Sequence, residues 1–195
     1  MTVSSAIEEG TPPGEASAPL DVRAIHAEHG EFVWATLQRL GIRETDREDL
    51  FQEVFVVVHR RLATFDGSSR MTTWLFGICL RVAAAHRRRA YVRREVPSDV
   101  DAQRESIAAR DGETPEDEAV AREERETLQA ILDEMDLEKR AVFVMFAIEE
   151  MSCEQIAEIT GAPKGTVHSR LHAARTQFRA AIARWKARDA RRGGR

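Results

Sequence analysis

Two stretches of this chain concentrate side chains suited to holding a polyanion. The first is MSCEQIAEITGAPKGTVHSRLHAARTQF, residues 151–178. Ser152 and Gln155 have the spacing of a capping box that opens a short helix. Gly161 supplies a turn, and Pro163 precedes a second helix in which Val167, Leu171, Ala174 and Phe178 recur at helical spacing. A short helix, a tight glycine turn and a second helix make a helix-turn-helix, whose second helix enters the DNA major groove. With that stripe inward, Lys164, Thr166, His168, Ser169, Arg170, His172, Ala173 and Arg175 surround the remaining faces. The second stretch, residues 72–94, turns from apolar to basic and ends in Arg81, His86, Arg87, Arg88 and Arg89, a cationic ridge suited to phosphates.

Other chemistries lack their parts. His26/His29 and His168/His172 have spacings a metal site could use, but no Cys is near either pair in sequence and the second lacks the Glu of H-E-x-x-H. No nucleophile–base arrangement and no phosphate-cradling glycine loop is visible, so no catalytic residue, metal or cofactor is expected. The two cysteines, Cys79 and Cys153, each fall in an apolar helical pattern and read as buried, reduced thiols of a cytoplasmic protein.

The elements that must position these groups are all helical. Residues 1–20 have three prolines and no periodic apolar face, and read as a disordered tail without the basic and apolar regions of a signal peptide. Ile25, Val33, Leu37 and Leu40 mark a helix from Asp21 to Leu40, broken at Gly41. Thr45–Asp46 offers a cap for a second helix to about Leu62, striped by Phe51, Val54, Phe55, Val58 and Leu62. TFDGSSRM is a turn-rich loop before the third helix. Thr114-Pro115 starts a helix of residues 116–135, and Asp136 caps the next. The expected fold is all-α: two small helical domains, 21–94 and 116–188, joined by an acidic linker, 95–115, with a basic tail at 189–195.

Charge follows the same division. The net charge of −4 conceals segments of −5 (1–80), +6 (81–94), −8 (95–126), −6 (127–163) and +9 (164–195). Two basic blocks separated by acidic sequence point to a polyanion touched in two places. No apolar run approaches the roughly 20 residues needed to span a bilayer, so no membrane contact is expected.

The order of these motifs resembles the extracytoplasmic-function (ECF) group of bacterial RNA polymerase sigma factors. Residues 151–178 resemble region four, which binds the promoter −35 element. The ten residues DREDLFQEVF, 46–55, resemble regions 2.1–2.2, and TFDGSSRMTTWLFGICLRV resembles regions 2.3–2.4, which melt and read the −10 element. The resemblance implies a specificity subunit with no catalytic site, partnered by core RNA polymerase (its β′ clamp helices and β flap), promoter DNA and an anti-sigma factor. It implies that Asp46, Asp49, Leu50, Gln52 and Glu53 meet the basic clamp helices. It likewise implies that the loop Asp66, Gly67, Ser68, Ser69 and Arg70 captures an extruded −10 base. Trp74 would then be a wedge or stacking surface at the melted fork, or else a core tryptophan, since Leu75 and Ile78 place it near the apolar face. The acidic linker would thread toward the RNA exit path; roughly 30 extended residues reach up to about 100 Å. Two departures bear on promoter choice: Arg81 and Ala85 replace a familiar Asn and Asp, and Ala173 replaces a familiar Arg. Two other readings compete: a stand-alone helix-turn-helix regulator, which leaves the DLFQEVF face without a role, and a metal-dependent hydrolase, which lacks carboxylate and Cys ligands.

Overall fold

The computed structural model describes residues 21–94 and 115–193. The tail at 1–20, the linker at 95–114 and the Thr114 cap lie outside the described residues.

The first domain packs three helices: α1 (Val22–Arg39), α2 (Glu44–Arg61) and α3 (Met71–Arg94), with a 3-10 turn at Leu62–Thr64. Asp21 caps α1 by accepting from the Arg23 backbone N–H at 3.2 Å. The start of α2 differs from the expectation. Arg43 is its extended N-cap residue and makes no side-chain cap bond, so Thr45 and Asp46 fall inside the first turn. Glu44 and Asp46 there complement the positive helix end, and His59, Arg60 and Arg61 complement the other. The VFVVV run stays helical, because only Val54, Phe55 and Val58 of the stretch are buried while Val56 points outward. The core joins Val33, Leu37 and Leu40 of α1 to Leu50, Val54 and Val58 of α2 and to Leu75, Phe76, Ile78 and Cys79 of α3.

The second domain holds α4 (Pro115–Asp133), α5 (Leu137–Ala147), α6 (Cys153–Thr160) and α7 (Lys164–Gly193). Asp136 caps α5 through the Lys139 backbone N–H at 2.9 Å. The helix α7 continues through the expected basic tail as far as Gly193. Leu132, Val142, Val144, Met145, Ile156, Val167, Leu171 and Ala174 fill the core, and the Phe143 and Phe178 rings stack at 4.8 Å. The described residues contain no strand, and no described helix is long and apolar enough to cross a membrane. The two domains touch where α6 lies on α3 and where Arg39 at the end of α1 meets Glu149, two residues beyond α5.

Candidate nucleic-acid interface

The helix-turn-helix forms as the sequence requires. Ser152 Oγ accepts from the Gln155 N–H at 3.2 Å, and Gln155 Oε1 accepts from the Ser152 N–H at 2.8 Å. This reciprocal cap fixes where α6 begins. Gly161 ends α6 at φ +67°, the left-handed conformation that turns the chain into α7. Burial of Val167, Leu171 and Ala174 then sets the rotation of α7. His168, Ser169, His172 and Arg175 are exposed along its outer side, with Lys164 at its first turn.

These side chains are not equally free. Lys164 Nζ lies 3.0 Å from Glu154 Oε1, a hydrogen bond that holds the Glu154 carboxyl below its usual range. His168 Nδ1 is 3.9 Å from Cys153 Sγ, and Cys153 is half-exposed rather than buried as the apolar pattern suggested. Ser169 Oγ donates to the Thr166 carbonyl at 3.0 Å, and Thr166 itself is half-buried. Arg170 turns back to an ion pair with Glu138 at the start of α5, and the Arg175 guanidinium lies 4.5 Å over the Phe146 ring. Ser169 and His172 are therefore the exposed pair with no ionic partner among the described residues.

In the first domain the loop between the 3-10 turn and α3 stands open. Asp66 Oδ1 accepts from the Ser68 N–H at 2.9 Å, and its hydrogen bonds with Ser68 keep that carboxyl ionised to lower pH. Gly67 takes φ +74° with no atom near its missing side chain, and Ser68 and Arg70 are exposed beside it. Ser69 is half-buried. The Phe65 and Trp74 rings meet at 5.2 Å, and Trp74 is half-buried, packed against the core on one side. It meets both readings halfway: anchored by the core, it still offers part of its ring at the surface.

The cationic ridge of α3 is divided. Arg81 and Arg88 are exposed. His86 Nε2 lies 3.2 Å from Asp46, and Arg89 lies 2.9 Å from Glu53. Arg87 leaves the ridge: half-buried, it donates to the Leu40 carbonyl at 3.0 Å, and burial lowers its pKa against the opposing pull of Asp133 and Asp136. Its expected place among phosphate contacts does not fit this arrangement.

The acidic face of α2 is also narrower than the spacing implies. Asp46 and Glu53 are spent on α3, leaving Asp49 and Gln52 exposed. Leu50 cannot be an exposed contact. It is 4% exposed, because it lies one turn from Val54 on the core side. The apolar atoms that do reach the surface belong to Val56, 48% exposed, beside a shallow recess of about 330 Å³ lined by His26, Phe51, Gln52, Phe55, Val56 and His59. The His26 ring sits 4.6 Å from Phe55 and lines this recess. The spacing of Gln52, Val56 and His59 carries this signal, but the apolar run around Val56 hides it.

Comparison with known families agrees with the two-domain division. Residues 25–93 match the family model "Sigma-70 region 2" and residues 125–178 match "Sigma-70, region 4". The chain is 36% identical over 166 residues to the ECF RNA polymerase sigma factor SigE of Mycolicibacterium smegmatis, covering 80% of this chain and 60% of that protein's length. It is 30% identical over 138 residues to the ECF RNA polymerase sigma factor SigW of Bacillus subtilis, covering 69% and 74%. Its fold is similar to that of the sigma factor RpoE of Bartonella quintana, solved with the anti-sigma factor NepR, at a TM-score of 0.64 and 18% identity over 83% of this chain and 96% of that one. With both regions present in order and each folded as its own helical domain, this chain belongs to the ECF group of RNA polymerase sigma factors.

Proposed function

We propose that this protein recruits core RNA polymerase to a restricted set of promoters, reading the −35 element with α7 and the −10 element with the Asp66–Arg70 loop and α3. The observation that carries the reading is the exposed Ser169/His172 pair on the outer side of α7, in the same chain as an open glycine loop leading into a basic helix. Ser169, His172 and Lys164 approach base edges from the N-terminal half of the recognition helix, while Arg175 and Arg179 are placed for phosphates. At the −10 element, Gly67 lets the loop backbone approach an extruded base, Arg70 and Arg88 neutralise phosphates, and the open part of Trp74 offers a stacking surface.

The protein's contribution is binding. Strand separation follows from holding an unpaired conformation, and the nucleotidyl transfer belongs to the polymerase. Asp49, Gln52 and Val56 form the face of α2 that meets the β′ clamp helices, with Asp49 steering and Val56 supplying apolar contact. The second domain meets the β flap. The work is cytoplasmic, where polymerase and promoter are. An anti-sigma factor restrains the chain, a role supported by the RpoE neighbour having been solved with one. Run-off transcription on a genomic fragment library tests the reading: discrete transcripts should require both core polymerase and this chain. Transcript patterns unchanged by its addition would overturn it.

A further inference from the structure

The first helix of the helix-turn-helix carries the wrong sign of charge for a helix that crosses a phosphate backbone. It is α6, CEQIAEIT, with two exposed carboxylates, Glu154 and Glu158, and no cation. The cations of α7 from residue 164 to 175 are Lys164, Arg170 and Arg175, and each meets a side chain of another helix. Arg170 pairs with Glu138, Arg175 lies over Phe146, and Lys164 Nζ meets Glu154 Oε1 at 3.0 Å. The recognition helix therefore offers DNA no unengaged cation over this stretch.

Of the three contacts, the Lys164 pair is the most open. The Lys164 and Glu154 side chains are 61% and 59% exposed. At Gly165, next to Lys164, nothing stands within 4 Å of where a Cβ would be. An exposed pair of this kind adds little to stability. What it fixes is where the ammonium stands. Lysine is a point charge on a flexible four-carbon stem. Released, it takes the nearest phosphate, and a phosphate contact carries no sequence information. Held by Glu154, Nζ keeps two of its three donors for an acceptor on a base edge, and guanine O6 and N7 are the acceptors that suit Lys. A phosphate approaching Nζ also meets the Glu154 carboxylate, charge against charge. Glu154 lies in the first turn of α6, where an acid suits the positive helix end. That role alone needs no partner on α7, ten residues on.

We propose that Glu154 is a specificity-determining residue for the −35 element: it withholds Lys164 from phosphates and directs it to a base edge. The inference rests on the assignment of α7 to that element. Nonspecific DNA gains nothing from Lys164, while the correct sequence finds it in place, so the device works by disfavouring the wrong partner.

The test uses the holoenzyme, core polymerase with the full chain, on two promoter duplexes that differ only in a scrambled −35 element. Each phosphate contact adds about 0.9 to the slope of log affinity against log salt, roughly a fivefold gain at 0.15 M salt relative to 1 M. Glu154→Gln keeps the side-chain shape and removes the charge. It should tighten binding to the scrambled duplex about fivefold at 0.15 M salt and steepen its salt slope by about 0.9, with the correct duplex bound no tighter than by the parent. The preference for the correct −35 element should fall by at least that factor. Adding Lys164→Ala should abolish the gain, because the freed charge is then absent. Both side chains are exposed, so the helical spectrum should be unchanged. Equal tightening on the two duplexes, or a gain that survives Lys164→Ala, would reduce Glu154 to general repulsion and overturn the proposal. No change on the scrambled duplex would overturn it as well. A parent holoenzyme indifferent to scrambling would instead strike the assignment of α7 to the −35 element, and the proposal with it.

Discussion

Replacing Asp49 by Lys isolates the contact with polymerase from the internal wiring of the first domain. Asp46 and Glu53 each meet a side chain of α3, His86 at 3.2 Å and Arg89 at 2.9 Å, so reversing either one breaks a structural contact as well. Asp49 is exposed and has no ion pair among the described residues, so its charge is available to a partner. A unit charge pair at 4 Å in water is worth about 1 kcal/mol. Reversal turns that attraction into an equal repulsion, a change of ~2 kcal/mol, or roughly 30-fold in affinity at the water limit. A less polar interface raises the penalty further. Lys is as good a helix former as the position needs, so helicity should be retained. Fluorescence titration with core polymerase should show the weakening, and raising the salt should narrow the gap between parent and variant by screening. Binding unchanged at low salt would refute the placement of this face against the clamp helices.

Other expectations follow from single contacts. Promoter-library selection with Ser169→Ala or His172→Ala should shift the preferred −35 base at one position, a discrimination of ~1–3 kcal/mol; identical selected sequences would mean that α7 faces DNA with another side. Iodoacetamide should alkylate Cys153 and spare Cys79 in the native chain, read by mass spectrometry, because burial pushes the Cys79 thiol far above its ordinary range while Cys153 is half-exposed. Phe76→Ala should cost ~3–5 kcal/mol in denaturant unfolding of the first domain, since the side chain is fully buried; a loss below ~1 kcal/mol would contradict the packing.

Much of this architecture is legible in the chain because local rules and tertiary packing agree. The Ser152/Gln155 box, the Asp136 cap and the left-handed Gly161 are set by residues within four positions, and the α7 stripe of Val167, Leu171 and Ala174 by simple periodicity. The failures mark places where a distant element decides. Thr45 has the chemistry of a cap, but the turn after Gly41 brings Arg43 to the extended position and starts the helix earlier. Leu50 and Val56 trade places because apolar type alone cannot say which side of α2 the other two helices cover. The pairing of Asp46 with His86 and Glu53 with Arg89, and the turn of Arg87 into the domain joint, depend on contacts 36 to 47 residues apart for Glu53–Arg89 and Leu40–Arg87. Within the recognition helix, exposure was legible but freedom was not, since Glu138 and Phe146 that occupy Arg170 and Arg175 come from α5.

The most direct test of the central claim is a footprint of a mapped promoter with this chain alone, with core polymerase alone and with both. The two small basic surfaces of the chain should bind DNA weakly when separate, and affinity should arise from holding both at once on polymerase. Only the complete mixture should protect two segments, at −35 and −10, and only there should thymines near −10 become reactive to permanganate. Tight, promoter-specific protection by the isolated chain at physiological salt, with no permanganate reactivity gained on adding core enzyme, would contradict the account.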